Sequence, residues 1–300
     1  MTDNLLDLAE MLDSWYRQLR RDRKSDQTLR SYRRGVEEFL RFCDDADIPR
    51  ELTKPNVTAW LDSQHDCGTA TVRLRLTALK LFARWLAAEE GFDADAILLV
   101  APPKLEQAAV ADLSENEVRR MLKACEGTAL RDKRDKAIVA VLTESGLRAA
   151  ELLALDITDI DLDACLLAVR RGKGGKSRRV RFSTTAAAAV DRYVRARRHA
   201  ILRPAEGPLW LSDRGKRLSY TGLVTTLKGR AADAGVIGFH VHRLRHTMAV
   251  HWLRSGGSET GLRAHAGWTD NTMVARYIKT ASEQLAAEEF DRLNLGLHEL

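Results

Sequence analysis

Apolar residues recur at helical spacing through the first part of the chain. One set runs from Leu5 to Leu19, a second from Leu29 to Cys43 and a third from Val72 to Leu86, with a shorter set between Val57 and Leu61. Residues three and four apart lie on one face of a helix, so each set predicts an amphipathic helix with one buried side. Four such helices within about a hundred residues predict a compact α-helical domain.

The helical pattern stops and restarts near the middle of the chain. It is lost between Ala94 and Ala111, where Pro102 and Pro103 follow one another, which predicts a linker. Ser114 followed by Glu117 is then typical of a capped helix start. The predicted organisation is, in order, a helical domain over residues 1–95, a linker over 96–111 and a second domain over 112–300.

The second domain contains a change of period. Short strand-like runs, Cys165–Arg170 and Arg178–Phe182, flank a glycine-rich stretch that is typical of a β-hairpin loop. The remainder has helical spacing. The predicted helices are Asp135–Ser145, Ala149–Leu155 and roughly 184–199, 220–234, 243–255, 258–266, 270–279 and 283–294. We therefore expect a mainly α protein with a small β-sheet, in which a helical domain precedes a mixed α/β domain.

The charge of the chain favours a polyanionic partner. Its 300 residues carry a formal net charge of +6 and give a pI of about 9.2, which suits a nucleic-acid-binding protein. Two predicted helices carry basic residues opposite their apolar faces, which favours phosphate contacts over a merely solvated surface. These residues are Arg30, Arg33, Arg34 and Arg41 on one helix and Arg73, Arg75, Lys80 and Arg84 on another.

Cysteine spacing and hydropathy exclude several other classes of protein. The four cysteines are scattered without a C-x-x-C pair, so neither a zinc site nor a disulfide framework is indicated, and we expect a cytoplasmic protein. The first residues are acidic rather than typical of a signal peptide. No apolar run is long enough to span a bilayer, so no membrane partner is expected.

Two arginines occupy positions that suit phosphate binding. Arg148 follows Gly146 at a tight turn between two predicted helices, and Arg245 lies three residues after His242, on the same helix face or its entry turn. A guanidinium donates two parallel hydrogen bonds to a phosphate and stays charged. Taken alone, Arg148 is more typical of a surface arginine near a helix start than of a phosphate ligand. The histidines of this segment and His251 also suggest a metal site, but the dense arginines would repel a cation.

Two further candidates are a lysine and a tyrosine. Lys173 lies at the tip of the predicted hairpin between two glycines, a position that by itself is typical of a soluble loop. Tyr277 follows Trp268 by nine residues at the end of a predicted helix. A tyrosine in this position is most often a packing residue, and a free phenol with a pKa near 10 is a poor nucleophile.

In their order along the chain, these segments resemble the tyrosine recombinase (phage integrase) family. Residues 242–247 resemble the family's H-x-L-R-H-T box, residues 145–152 its first arginine box, and residues 172–174 its lysine hairpin. The resemblance covers roughly residues 112–290 by motif and the amino-terminal helices only by their shape and order. It implies a helical core-binding domain followed by a catalytic domain.

The chain departs from the family pattern at two places. The family usually has histidine where this chain has Trp268, although some members have tryptophan there, and an indole donates a hydrogen bond without shuttling a proton. His265 is a nearby substitute, but the nine-residue spacing to Tyr277 favours Trp268. Lys176 competes with Lys173 for the lysine role, and the G-K-G slot favours Lys173.

The resemblance implies site-specific cleavage and rejoining of DNA through a 3′-phosphotyrosyl bond to Tyr277. Arg148 and Arg245 would hold the non-bridging oxygens, His242 would act as donor or base, and Lys173 would protonate the 5′ oxygen. Trp268 would donate to the phosphate, and Glu151 would orient the site rather than react. The arginines supply the positive charge, so neither a metal nor another cofactor is expected.

The resemblance also implies partners for the reaction. They are double-stranded DNA with inverted core sites, a homotetramer at the synapse and a possible accessory host or excision factor. Ala286, Phe290, Leu293 and Leu297 lie near one helical face, which suggests a C-terminal exchange helix over about 283–294 that docks on a neighbouring subunit.

Two other functions and two subtypes compete with this interpretation. A type IB topoisomerase-like enzyme would use the same tyrosine chemistry without pairing two sites, and a DNA-binding regulator would have lost catalysis. The compact organisation disfavours the first, and the presence of all the candidate residues disfavours the second. The Ala266-Gly267-Trp268 variant favours a phage or mobile-element integrase over a Xer-like resolvase.

Overall fold

The computed structural model shows a chain that divides into two compact units, Met1–Ala108 and Ala109–Leu300. The residues that it describes are 7–104, 112–170, 177–200, 206–268 and 272–293. The division between the units falls within the segment predicted as a linker, residues 96–111.

The first unit is helical throughout its described part. Its helices are α1 (Leu8–Arg21), α2 (Asp26–Asp45), α3 (Lys54–Asp62), α4 (Thr69–Glu90) and α5 (Asp95–Leu98). The side chains of Ser25 and Thr53 accept backbone N–H groups at the starts of α2 and α3, where helices have no internal acceptor. Helix α4 ends at Gly91, whose φ of 68° suits a residue without a Cβ.

The core of the first unit consists of the predicted apolar faces. Phe39 and Trp60 meet edge to face with ring centroids 5.5 Å apart, and Trp15 packs on Phe82 at 5.3 Å. Helices α2 and α4 carry most of the other buried side chains of this core. The helical spacing thus identified the buried positions correctly, while Leu5 lies outside the described residues.

The first residues of the predicted linker pack in the core of the first unit. Residues 95–98 form the short helix α5, and Ile97 and Val100 are buried in the core of the first unit. Burial of these two apolar side chains keeps the chain folded until the Pro102-Pro103 pair.

Part of the basic faces of α2 and α4 is engaged within the unit. Arg33 pairs with Asp13 at 2.9 Å, while Arg75 donates to the Gln64 side chain and Lys80 to the Leu98 carbonyl oxygen. Arg84 is exposed. Arg30, Arg34 and Arg41 are exposed as well, so half of the eight basic residues named above lie at the surface of the unit.

The second unit is also mainly helical, with one small sheet among its described residues. Its helices are α6 (Glu115–Ala124), α7 (Leu130–Ser145), α8 (Ala149–Ala154), α9 (Thr184–Ala200), α10 (Tyr220–Asp233), α11 (His242–Arg254), α12 (Glu259–Ala266) and α13 (Thr272–Leu293). The strands are β1 (Ile160–Asp161), β2 (Leu166–Val169) and β3 (Arg178–Arg181). The predicted fold class, mainly α with a small sheet, is confirmed.

The sheet is antiparallel, in the order β1-β2-β3. Leu167 lies opposite Val180, and both side chains point into the core. Helix α7 packs against α9 and α11, and its buried side chains include Ile138 and Leu142. The alternation of buried and exposed residues along β2 and β3 places every second side chain on the core side.

Three features of the second unit differ from the sequence prediction by more than one residue at an element's end. Helix α7 begins at Leu130, not Asp135, because the Asp132 carboxylate accepts the Ala129 N–H and caps an earlier start. Strand β1 was not predicted, since it is only two residues long. The helices predicted over 270–279 and 283–294 form one helix, α13, so the proposed exchange helix is not a separate element. The intervening residues include neither glycine nor proline that would end a helix.

None of the described helices is long and apolar enough to cross a membrane.

Candidate active site

The turn between α7 and α8 presents Arg148. Gly146 ends α7 with a φ of 58°, and a Cβ at this position would collide with the Met248 side chain. Arg148 is the extended N-cap of α8, and its backbone N–H donates to Glu151 Oε2 over 2.9 Å. The glycine therefore sets the direction of the chain, and the cap fixes the backbone from which the arginine projects.

The Glu151 carboxylate lies between two arginines. Its Oε1 accepts from Arg148 Nη1 and Arg178 Nη1, each at 3.0 Å, and its Oε2 accepts from Arg178 Nη2 at 2.9 Å. Burial would raise the pKa of Glu151, but the hydrogen bonds from Arg178 and from the Arg148 backbone hold that pKa down at about 2. Glu151 is therefore ionised at neutral pH and orients both arginines.

Arg178 was not identified by the sequence reasoning. It lies on β3, its side chain is 13% exposed, and its Nε donates to the backbone oxygen of His265 over 3.2 Å. The alternation of side chains along the strand could have indicated it, because Arg178 lies two residues before Val180 and therefore points to the same, buried face. A charged residue on that face requires a partner inside the protein.

Helix α11 begins at the site. Arg245 is 2% exposed and donates to the backbone oxygens of Gly146 and, over 2.8 Å, of Ala266. Burial and the neighbouring charge of Arg148 lower the pKa of Arg245 to about 10. The guanidinium still carries its charge at neutral pH, and it draws α11 to the ends of α7 and α12.

His242, the first residue of α11, is exposed beside these arginines. Partial desolvation and then the charges of Arg245, two neighbouring histidines and Arg148 lower its pKa below the ordinary 6.5. The imidazole is therefore mostly neutral at pH 7, the form that either accepts or donates a proton.

Trp268 and Tyr277 form a stack against Arg245. Their ring centroids are 5.1 Å apart with an interplanar angle of 9°, and the Arg245 guanidinium lies 5.2 Å from the Trp268 ring centroid. The His246 ring packs on Tyr277 at 4.9 Å. Both stacked aromatic residues are buried, so Tyr277 lies inside its own unit next to the arginines.

The structure thus brings together five of the six predicted site residues, Arg148, His242, Arg245, Trp268 and Tyr277. Lys173 and its rival Lys176 lie outside the described residues. The roles of all six residues stay predictions.

Two other histidines considered above, His265 and His251, have local partners. His265, the considered substitute for Trp268, shares a hydrogen bond with the Glu144 backbone oxygen at 3.1 Å and packs on Trp252. His251 faces Glu115 on α6 at 3.8 Å. Within the described ranges, no three His, Cys, Asp or Glu side chains gather in a way that could hold a metal ion.

Comparisons with known proteins cover both units. The model of the phage integrase family matches residues 111–284, and that of the phage integrase N-terminal SAM-like domain matches residues 12–90. The chain is 33% identical to tyrosine recombinase XerC of Mycobacterium sp. (strain KMS) over 264 residues, which are 83% of this chain and 87% of the relative. It is 28% identical to tyrosine recombinase XerD of Oceanobacillus iheyensis over 87% of this chain and 90% of the relative.

Among solved structures, the lambda integrase tetramer bound to a Holliday junction matches with a TM-score of 0.71 at 18% identity. The match covers 92% of this chain and 78% of that one, and it shows a shared fold. With two family models and a 33% identical relative, the chain belongs to the phage integrase family, and the predicted site-specific recombination of DNA by breaking and rejoining strands is confirmed at the level of the family.

Proposed function

We propose that Tyr277 is the nucleophile that breaks DNA in this protein. Its phenolic oxygen attacks a phosphodiester, a 3′-phosphotyrosyl bond forms, and the bond to the 5′ oxygen breaks as that oxygen takes up a proton. Attack by a free 5′ hydroxyl reverses these steps and releases the tyrosine. The covalent bond keeps the energy of the broken strand, so rejoining needs no high-energy cofactor.

The observation that carries this proposal is the convergence of Arg148, Arg245, Trp268 and Tyr277. In our proposal, the two guanidiniums bind the non-bridging oxygens and stabilise the extra negative charge of the pentacovalent transition state. Arg245 suits this role because it is held rigidly by two backbone oxygens and no carboxylate hydrogen bond was found to its guanidinium among the described residues.

The other predicted residues complete the proposed reaction. His242, mostly neutral at pH 7, would donate to the phosphate or accept the phenol proton. Trp268 would donate its indole N–H to the phosphate and support Tyr277 through their stack. Lys173 would protonate the departing 5′ oxygen, with Lys176 as the alternative.

We propose double-stranded DNA with inverted core sites as the partner of both units. The amino-terminal unit would be the core-binding domain, residues 96–111 the linker and the carboxyl-terminal unit the catalytic domain. A homotetramer at the synapse is supported by the tetrameric assembly of the lambda integrase structure and by Phe290 and Leu293 on α13, which are 53% and 54% exposed. An accessory host or excision factor would select the direction of the reaction.

For the subtype we favour a Xer-like recombinase that resolves joined DNA molecules in the cytoplasm. The Ala266-Gly267-Trp268 variant suggests a phage or mobile-element integrase, but the curated relatives reported above are XerC and XerD proteins that match over most of their length. The four free cysteines are compatible with a reducing compartment.

Capture of the covalent intermediate tests the proposal. The purified chain is incubated with fragmented genomic DNA of its source in excess EDTA, denatured with detergent, and the DNA that stays attached is sequenced. We expect one enriched site from the unmodified chain and none from Tyr277→Phe, which should still bind a duplex of that site in a gel-shift assay. An adduct with Tyr277→Phe, or cleavage that EDTA abolishes, would contradict the proposal.

A further inference from the structure

The Glu151 carboxylate is divided between two arginines in an unequal way. Arg178 binds it with two parallel side-chain hydrogen bonds, whereas the Arg148 side chain contributes one. The side chains of Glu151 and Arg178 are only 4% and 13% exposed, but that of Arg148 is 33% exposed. The buried ion pair is therefore Glu151 with Arg178, and Arg148 is its outer member.

We propose that Arg178 is a positioning residue that neutralises Glu151 and thereby leaves the Arg148 side chain able to turn to the DNA phosphate. This inference rests on the proposed function of Arg148. When that side chain leaves, Glu151 keeps both bonds from Arg178 and the bond from the Arg148 backbone N–H. The carboxylate then remains satisfied although it is buried.

Removal of Arg178 would leave Glu151 dependent on the Arg148 side chain. Among the residues that the structure describes, Arg148 would then be the one arginine still bonded to a carboxylate that burial has taken out of water. A buried charge with one counter-ion holds that ion strongly, because separation would leave the charge unpaired. Arg148 would then bind Glu151 in competition with the phosphate.

Arg178 also connects three elements around the site. Arg178 is the first residue of β3, its guanidinium binds Glu151 on α8, and its Nε binds the His265 backbone near the end of α12. A Cβ built on Gly267 would lie 2.8 Å from the Arg178 guanidinium, so the backbone just before Trp268 packs directly on this side chain. One arginine thus fixes the spacing between the Arg148 turn and the Trp268 turn.

A double-variant experiment separates this role from simple support of the fold. The chain and its variants Arg178→Met, Glu151→Gln and Arg178→Met/Glu151→Gln are tested on a nicked duplex of the site recovered by adduct capture. Single-turnover adduct formation gives the cleavage rate, and a gel-shift assay gives Kd. Arg195→Met is the matched control, because Arg195 pairs with Asp191 on the exposed face of α9.

We expect Arg178→Met to lower the cleavage rate about 100-fold, a loss typical of a phosphate donor being withdrawn, with Kd within about threefold. Adding Glu151→Gln should restore at least about tenfold, because the uncharged amide no longer retains Arg148. The control should cleave at the unmodified rate. A double variant no faster than Arg178→Met, or an Arg178→Met rate within about threefold of the unmodified chain, would overturn the inference.

Arg178→Lys keeps the experiment decisive if Arg178→Met melts at a much lower temperature. Lysine retains the charge but not the two parallel hydrogen bonds, so we expect a rate between those of the unmodified chain and Arg178→Met. If the rate were no better than that of a chain with Arg148→Ala, neutralisation of Glu151 would be the wrong explanation. If the unmodified chain forms no adduct, the proposed function itself fails, which distinguishes the two failures.

Discussion

Replacement of Trp268 by alanine tests whether the aromatic stack holds Tyr277 and its helix in place. The Trp268 side chain is buried. Its ring stacks on the Tyr277 ring and also lies 5.2 Å from the Arg245 guanidinium. Besides this stack, α13 packs on α11 and on the short helix α12. Among the described residues, Trp268→Ala would remove the largest buried side chain of the apolar cluster that α11, α12 and α13 share.

The expected loss can be worked from these contacts. A buried tryptophan replaced by alanine costs about 3–5 kcal/mol through lost burial and the cavity that remains. The offset stack accounts for about 0.5–1.5 kcal/mol of this loss, and the cation–π contact with Arg245 for about 0.5–2 kcal/mol. For a unit of this size each kcal/mol lowers Tm by about 2–4 °C, which gives a decrease of about 6–20 °C.

Calorimetry on the full chain measures the transition of the second unit, and hydrogen exchange measures protection within α13. Trp268→Phe is the matched control, since a benzene ring keeps the stack, leaves a smaller cavity and should cost about 1–2 kcal/mol. We expect Trp268→Ala to lose amide protection in α13 before α7, and to form adduct more slowly than Trp268→Phe. Equal Tm values for the alanine variant and the unmodified chain would refute the idea that the stack anchors Tyr277.

Three further predictions concern charged groups. Arg230→Met should lower the free energy of unfolding in urea by about 1–3 kcal/mol, because it removes the partner of one oxygen of the buried Asp135 while Arg134 keeps the other. Arg195→Met, which breaks an exposed pair, should change that free energy by under about 1 kcal/mol, and equal losses would contradict the burial argument. The Glu151 pKa of about 2 lies below its ordinary 4.5, so ionised Glu151 contributes about 3 kcal/mol to the free energy of unfolding. This contribution is complete above pH 4.5 and is lost as the pH falls towards 2. Glu151→Gln should flatten that part of the stability–pH curve, and an unchanged curve would refute the reasoning. Because the pKa of His242 lies below 6.5, the single-turnover rate should be level above pH 6.5 and fall below it, and a fall that persists in His242→Asn would belong to another group.

Helical spacing predicted the first core well, because burial follows the same period as the backbone. Leu19, Cys43 and Leu86 were identified as inward-facing from their spacing, and all three are buried. The partners of the basic residues were not predictable in this way. Arg33 meets Asp13 across two helices, and such a contact depends on how the helices pack rather than on the pattern of either one.

Near the carboxyl terminus, the apolar pattern predicted a helix break that the structure does not have. Its apolar positions suggested two helices separated near residue 280, yet α13 runs without a break from Thr272 to Leu293. A change in apolar pattern alters which face of a helix is covered, but only a residue such as proline or glycine readily ends the helix itself.

Among the site residues, too, local motifs were predictable from the sequence and long-range contacts were not. Arg148, His242, Arg245, Trp268 and Tyr277 were predicted because each falls in a motif at fixed spacing. Arg178 was not predicted as a site residue because its partner, Glu151, is 27 positions away in the sequence. No local pattern indicates a pair that only the folded protein brings together. Its inward direction was nevertheless visible from the strand register.

The way Arg245 is held explains how the site can keep positive charge for a phosphate. Its guanidinium donates to the backbone oxygens of Gly146 and Ala266, which lie at the carboxyl ends of α7 and α12. Helix carboxyl ends expose unpaired carbonyl groups and carry partial negative charge, so they stabilise a buried cation without neutralising it as a carboxylate would. The carboxylate of the site, Glu151, is bound mainly by Arg178 instead. In the proposed reaction, the positive charge of Arg245, joined by Arg148 once its side chain leaves Glu151, would be available to an anion beside Tyr277, and a DNA phosphate has the charge and the paired oxygens to accept both guanidiniums.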